Sequence, residues 1–486
     1  MFRNRRKNAT RLFAVPATFT ALAIFALPAL AQRAAAPSQT VDALLVSDIH
    51  FEPFRDPGKV PQLAAAPVSE WRTILDAPPS PDREQRFAAL EKTCHTRGLD
   101  TDQALFVSSL KAIRRDARGV RFVAVAGDLL AHAFDCKFDA TVARTSDAAY
   151  RSFTVKTMEY VLRELRAALP GVPVYPALGN NDSGCGDYRL DPHSEFLAES
   201  ARSFTADVPA AGRPAAEKNF AAEGDYSVAL PAPFRHARLL AIDDLFESRR
   251  YTGCAGKPDP APATEQIAWL RGQLDAARAA GEKVWIVGHI PPGIDPYSTA
   301  THLRNVCSGQ APEMFLNSTL LPDAIAAYGD VVGLAVFAHT HMDEMRVLTP
   351  AAGDHGPVAI KMTPSISPIN GNRPSFTIAS IDAATATLKD YRVVASADEL
   401  GSSWKQEYDY AQAYGLPDFS SSTAAALIAG FHADPNAAAA ASQAYIRNYY
   451  VRDASLALAV FWPQYACSLG NYTPEAYRSC LCPDAH

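Results

Sequence analysis

The chain has 486 residues, 48% of them hydrophobic and 20% charged, with a formal net charge of -6. That length allows one large domain or two ordinary ones with well-buried cores, and the acidic balance argues against a basic nucleic-acid-binding face. Eight cysteines without a C-x-x-C pair fit disulfides in an oxidising compartment rather than a cysteine zinc site.

Residues 1–31 begin with Arg3, Arg5, Arg6, Lys7 and Arg11 and continue into the apolar run LFAVPATFTALAIFALPALA, closing on Ala29-Leu30-Ala31. A basic start, an apolar middle and a small-residue exit predict a signal peptide cut after Ala31, hence a secreted or periplasmic protein. Pro16 and Pro28 break the run and argue against a retained anchor. Its removal takes away five basic residues and no acidic ones, so -6 becomes -11 over the remaining 455 residues. No later segment approaches the roughly 18 continuous apolar residues of a membrane helix, so no transmembrane segment is expected in the mature chain.

From residue 41 short β-rich runs alternate with helical patterns, the mark of an α/β layered fold. Five runs end in a polar cluster: VDALLVSDIH (41–50), VRFVAVAGDLL (120–130), VPVYPALGNND (172–182), KVWIVGHIPP (283–292) and VVGLAVFAHTH (331–341). Helices are predicted over 147–169, through Tyr150, Phe153, Met158, Val161, Leu162 and Leu165, and over 264–283, through Ile267, Leu270 and Leu274, with Thr264 as N-cap and Gly281 as stop. Further strands are expected at 225–232 and 237–244, and a closing sheet from PVAIKMTPSISP and the hairpin SFTIASID and TLKDYRVV. Residues 32–40 and 56–66 read as loops. The catalytic domain is expected over 41–400 and a helical, disulfide-bearing C-terminal subdomain over 402–486. Of the 105 possible cysteine pairings, Cys94 with Cys136, and Cys467 with Cys480 or Cys482, are preferred.

Ligands of open α/β sheets bind outside the carboxyl ends of the strands. There the five clusters offer Asp48, His50, Asp128, Asn180, His289, His339 and His341. Each motif alone is cheap, since Asp and Asn also cap turns; the ordered set at five strand ends is what argues for metal. Imidazole, carboxylate and amide oxygen without thiolate suit zinc first, with manganese or iron(II) as alternatives. Seven side chains exceed the four ligands of one tetrahedral zinc, so two divalent ions bridged by Asp128 are expected. Such a pair clamps the oxygens of an in-line displacement and lowers the pKa of a shared water, which implies phosphoester hydrolysis by attack of a metal-bridging hydroxide.

The blocks Asp48-Ile49-His50, Gly127-Asp128, Gly179-Asn180, Gly288-His289 and Ala338-His339-Thr340-His341 resemble the calcineurin-like metallophosphoesterase superfamily. The resemblance implies a four-layer α/β/β/α sandwich of two mixed sheets. It also implies a first metal on Asp48, His50, Asp128 and His341, and a second on Asp128, Asn180, His289 and His339. The texture of residues 43–420, including SDIHFEPF, GDLLAH, GHIPPG and WKQEYDYAQAYGLPD, is similar to the acid sphingomyelinase-like phosphodiesterases. Ala131 stands where purple acid phosphatases carry a metal-binding tyrosine, against a ferric tyrosinate site. The start of the first strand leaves no room for the saposin domain of animal acid sphingomyelinases, so a soluble phosphodiester or nucleotide-like substrate is expected ahead of a phospholipid head group in a bilayer.

Two positions depart from the superfamily: Ala338, where the last block usually opens with Gly, and Asn181, where the third block usually carries an acid histidine. Asn181 cannot donate the proton a leaving alkoxide needs, although its amide can bind a phosphoryl oxygen. His132, four residues past Asp128, is the expected substitute. Asn370 and Asn372 are candidates for the groove border, and Asp343 and Glu344 for support of His341 or for a solvated turn. The alternatives to a phosphodiesterase are an exported phosphomonoesterase or nucleotidase on the same scaffold, and a catalytically weak binding protein, which Asn181 raises.

Overall fold

The computed structural model describes residues 39–483 apart from 97, 143–145, 351–354 and 452–454, together with residues 1, 12 and 13. The predicted signal peptide and most of the 32–40 loop therefore lie outside the described residues.

Among the described residues twelve strands run in chain order as β1 (Thr40–Val46), β2 (Val123–Ala126), β3 (Val174–Ala177), β4 (Tyr226–Ala229), β5 (Ala237–Ala241), β6 (Lys283–Val287), β7 (Val332–Phe337), β8 (Glu344–Leu348), β9 (Val358–Met362), β10 (Ser375–Asp382), β11 (Leu388–Ser396) and β12 (Trp404–Asp409). They form two six-stranded sheets, ordered β12-β11-β10-β1-β2-β3 and β4-β5-β6-β7-β9-β8. Both are mixed. In the first, β1, β2 and β3 are parallel and β10, β11 and β12 are antiparallel. In the second, β5, β6, β7 and β9 are parallel between antiparallel β4 and β8. The parallel strands read as unbroken apolar runs because both of their faces are covered; every residue of β2, Val-Ala-Val-Ala, is buried. Between the sheets Phe122 meets Trp285 edge to face at 5.4 Å. Outside them, helix Asp147–Ala168 buries Tyr150, Phe153, Val161, Leu162 and Leu165, and helix Ala261–Ala280 buries Ile267, Leu270 and Leu274. The result is a four-layer α/β/β/α sandwich.

Several boundaries differ from the sequence-based expectation. Helix Ala261–Ala280 starts three residues before Thr264, whose hydroxyl donates to the Pro260 carbonyl within the first turn, while Gly281 closes it in the left-handed region. Part of the 56–66 loop is the short helix Val60–Ala65, which buries Val60 and Leu63. PVAIKM does not join the closing hairpin: β9 pairs with β7 and β8 in the second sheet, whereas β10 and β11 extend the first. Asp343 and Glu344 are buried rather than a solvated turn, because Asp343 pairs with Lys361 and Tyr408, and Glu344 opens β8. Trp404–Asp409, expected inside a helical tail, is the edge strand β12, which pairs with β11 and buries Trp404. The helices after it include Ser421–His432 and Trp462–Gly470.

All eight cysteines are paired: Cys94–Cys136, Cys185–Cys254, Cys307–Cys482 and Cys467–Cys480. The first and last are the preferred pairs, with Cys480 taken over Cys482. Four disulfides point to an extracellular or lumenal setting. Among the described residues no helix is long and apolar enough to cross a membrane.

Candidate metal centre

The polar clusters follow directly on the carboxyl ends of β1, β2, β3, β6 and β7, where the chain must turn at once and approach its neighbour closely. The glycines make this possible. A Cβ on Gly179 would lie 2.2 Å from Asp128 Oδ1, one on Gly127 2.8 Å from His289 Nδ1, and one on Gly288 2.5 Å from Asp244 Oδ2. Five of the seven expected ligands themselves hold positive φ: Asp48 (45°), His50 (44°), Asp128 (55°), His339 (71°) and His341 (66°). Non-glycine residues seldom adopt that conformation, and it persists only where the surroundings impose it. Here interstrand bonds do so, with Asp48 N–H donating to Gly127 O at 3.1 Å and His50 N–H to Asp128 O at 3.0 Å.

All seven side chains converge in two halves that share Asp128. In the first half His50 Nε2 lies 3.7 Å from Asp48 Oδ1, 3.4 Å from Asp128 Oδ2 and 3.2 Å from His341 Nε2. His341 Nε2 is 3.5 Å from Asp48 Oδ1. In the second half His289 Nε2 lies 3.1 Å from Asp128 Oδ2 and 3.1 Å from Asn180 Oδ1, and His339 joins the Asp128–His289 group. His50 and His289 each turn Nδ1 to a backbone carbonyl, Leu130 O at 2.8 Å and Ala126 O at 2.7 Å, which leaves Nε2 for the centre.

The electrostatics fit cations. Both carboxylate oxygens of Asp48 are buried and accept no hydrogen bond, and His341 Nδ1 likewise has no partner. A buried charge without a partner is costly, and a divalent ion among nitrogen and oxygen donors removes that cost. Burial opposes charge on His50, yet the Asp128 carboxylate, with that of Asp48, lifts it to about 9. Asp128 similarly lifts His289 to about 10 against its burial. Burial, helped by the His289 charge, takes His339 down to about 3, and burial also holds His341 near 3. Asp128 stays far below the usual carboxylate range, because His289 and His50 outweigh its burial. Two carboxylates thus demand positive charge at the centre of the cluster.

A family model described as Calcineurin-like phosphoesterase matches residues 43–343. The chain belongs to the calcineurin-like phosphoesterases. Members of this family use divalent metals to hydrolyse phosphoric esters, and this chain is accordingly a metal-dependent phosphoric ester hydrolase. Human acid sphingomyelinase-like phosphodiesterase 3b is 25% identical over 461 residues, covering 90% of this chain and 89% of its own. Mouse cyclic GMP-AMP phosphodiesterase SMPDL3A is 25% identical over 346 residues, with 67% and 72% covered. The crystal structure of a dimetal phosphatase from Danio rerio aligns with a TM-score of 0.40 and 13% identity, over 73% of this chain and 95% of that one.

Within this calcineurin-like phosphoesterase the two expected catalytic residues take different places. The His132 ring stacks on His50 at 4.1 Å between centroids, and its Nδ1 lies 3.1 Å from both oxygens of Asp100. Buried Asp100 also accepts the His132 N–H at 2.9 Å and the Ser367 hydroxyl at 2.8 Å. Asn181 donates its backbone N–H to Asp128 Oδ1 at 2.8 Å and its amide to Asp128 Oδ2 at 2.9 Å, so it braces the shared carboxylate. Asp182 holds the turn through Gly179 N–H at 3.0 Å and reaches Leu129 and Leu130 N–H at 2.8 and 3.0 Å.

A cavity of about 470 Å³ opens over the cluster and is lined by His132, Asn181, Asn370 and His339, with Asp187, Tyr188, Arg249, Arg250 and His302 around them. Asn370 thus reaches the groove border, whereas Asn372 is buried and donates its amide to Ser367 O at 3.0 Å. Sequence reasoning passes over Asp100, Asp187, Tyr188, Arg249 and Arg250, and reads His302, which lines the cavity, as a structural or solvent-exposed histidine. Asp100 and His302 stand in no strand-end motif, and nothing local marks Asp187 or Arg250 beyond the neighbouring Cys185 and Cys254.

Proposed function

We propose that the chain is an exported dinuclear-metal phosphodiesterase of the acid sphingomyelinase-like kind, with zinc in both positions. The observation that carries this is the single Asp128 carboxylate standing between two sets of imidazoles, with Oδ2 at 3.4 Å from His50 Nε2 and 3.1 Å from His289 Nε2. Asp48, His50, Asp128 and His341 would hold one ion, and Asp128, Asn180, His289 and His339 the other. Bound there, the ions supply Lewis acidity toward the phosphoryl oxygens and a water of lowered pKa as nucleophile.

The protein's own residues do the remaining work. As an imidazolium whose Nδ1–H is donated to Asp100, His132 carries its second proton on Nε2 and gives that proton to the departing alkoxide, leaving the neutral ring with its hydrogen on Nδ1. Asp100 orients the ring and stabilises its charged form before the transfer, as a buried carboxylate does for other catalytic histidines. Asn181 spends one amide N–H on Asp128 and turns the other to a phosphoryl oxygen. The substrate is a soluble phosphodiester, nucleotide-like or head-group-bearing.

The test is a substrate panel on chelator-stripped protein resupplied with zinc, manganese or nothing. It covers bis-nitrophenyl and mononitrophenyl phosphate, sphingomyelin, nucleotide di- and triphosphates and CDP-alcohols. Zinc-dependent turnover favouring diesters over monoesters is expected. Faster monoester turnover would make the protein a phosphatase on the same scaffold, and no turnover with negligible metal uptake would make it a binding protein.

A further inference from the structure

In the second half of the centre one ligand is an amide, and an amide presents either an oxygen or an NH2 to a cation. Only the oxygen binds. Asn180 Nδ2 donates to Asp187 Oδ1 at 2.7 Å, and its Oδ1 faces His289 Nε2 at 3.1 Å. An ionised carboxylate only accepts hydrogen bonds, so Asp187 can meet the amide through nitrogen alone. The amide orientation is thereby decided by its neighbour.

Asp187 is itself held. Tyr188 N–H donates to Asn180 O at 3.0 Å, Thr252 N–H to Tyr188 O at 3.0 Å and Leu190 N–H to Thr252 O at 3.2 Å. The Cys185–Cys254 disulfide ties the same two segments. Arg250 lies 3.7 Å from Asp187 and sets its guanidinium 4.0 Å above the Tyr188 ring, and the Tyr188 hydroxyl reaches His339 Nε2 at 3.3 Å. This strapped segment therefore touches two ligands of the second half and none of the side chains that belong to the first half alone.

We infer that Asp187 is a positioning residue for the second cation, orienting the Asn180 amide so that its oxygen faces the metal. The inference rests on the two-cation reading above and adds a residue that distinguishes the two halves. The Asp187 side chain is 39% exposed, so replacing it strands no buried charge and leaves folding intact.

The test titrates manganese(II) into chelator-stripped full-length protein by calorimetry, with thermal melts of the metal-free forms as a check. In Asp187→Ala the second affinity should fall about tenfold to a hundredfold, the range for loss of a ligand's outer partner, with the first affinity and the metal-free melt unchanged. Asp187→Lys, which offers only donors and turns the amide round, should lose more, and Asp187→Asn, which keeps an acceptor, less. Equal second-site affinity in all four proteins, or parallel loss at both sites, overturns the assignment. A wild type that takes up fewer than two ions sinks the two-cation reading, and the inference with it.

Discussion

The two halves of the candidate metal centre are built by different means. In the first, His50 is set by a backbone carbonyl, Asp48 lacks any hydrogen-bond partner for its side chain, and His341 Nδ1 has none either. In the second, His289 is likewise set by a backbone carbonyl, but Asn180 leans on Asp187 and His339 on Tyr188, side chains of a segment strapped by a disulfide. Backbone supports are indifferent to substitution at their own positions, whereas side-chain supports can be changed one at a time. The second half is therefore the one in which affinity can be tuned without disturbing the fold.

The largest effect should come from breaking what the halves share. Asp128→Asn removes the carboxylate common to both, so metal analysis should find neither ion retained and activity should fall to background; retention of one ion would mean that the halves assemble independently. His132→Ala should leave both ions in place and cost about 10²–10⁴ in turnover of alkyl diesters, the usual worth of a general acid. Nitrophenyl diesters, whose leaving group scarcely needs a proton, should lose far less, and equal losses on both would remove His132 from that role.

Asp182→Ala should loosen both halves together. It strands the buried N–H groups of Gly179, Leu129 and Leu130, at a cost of roughly 3 kcal/mol or more, read from denaturant unfolding of the metal-free protein. Both metal affinities should weaken, because Leu130 O orients His50 and Gly179 precedes Asn180. A change that touches neither half gives the smallest effect. Burial, then the hydrogen bond and charge of Glu265, raises Glu223 to about 7. The native state therefore keeps a proton that the unfolded chain releases near pH 4, and that stabilisation, complete below this pH, is lost as pH rises through 7. Glu223→Gln should melt above wild type at pH 8 and level with it near pH 4, with metal content unchanged at both.

Much of the sandwich could be read from the chain because buried parallel strands are continuous apolar runs, and the turns after them demand glycine followed by a polar residue. Two of the four edge strands were less legible. β8 begins at Glu344 and β12 carries three charged residues, Lys405, Glu407 and Asp409, on an exposed edge, so neither has the apolar run that identifies β2 or β7. The helix Val60–Ala65 is too short for its period to register.

The residue types at the strand ends, their order and their spacing are local properties. They alone carried the candidate set from Asp48 to His341 and the nitrogen and oxygen donor class, while Asn181 in place of the usual histidine was legible only against the family resemblance. Which residues stand behind those candidates was decided only by the packed structure. Asp100 reaches His132 from 32 residues away in the chain, Arg250 reaches Asp187 from across a disulfide, and Cys482 chose Cys307 over the nearer Cys467. Hydrogen bonds and disulfides between distant segments depend on where the chain returns, and that is set by the closing of two sheets on one another.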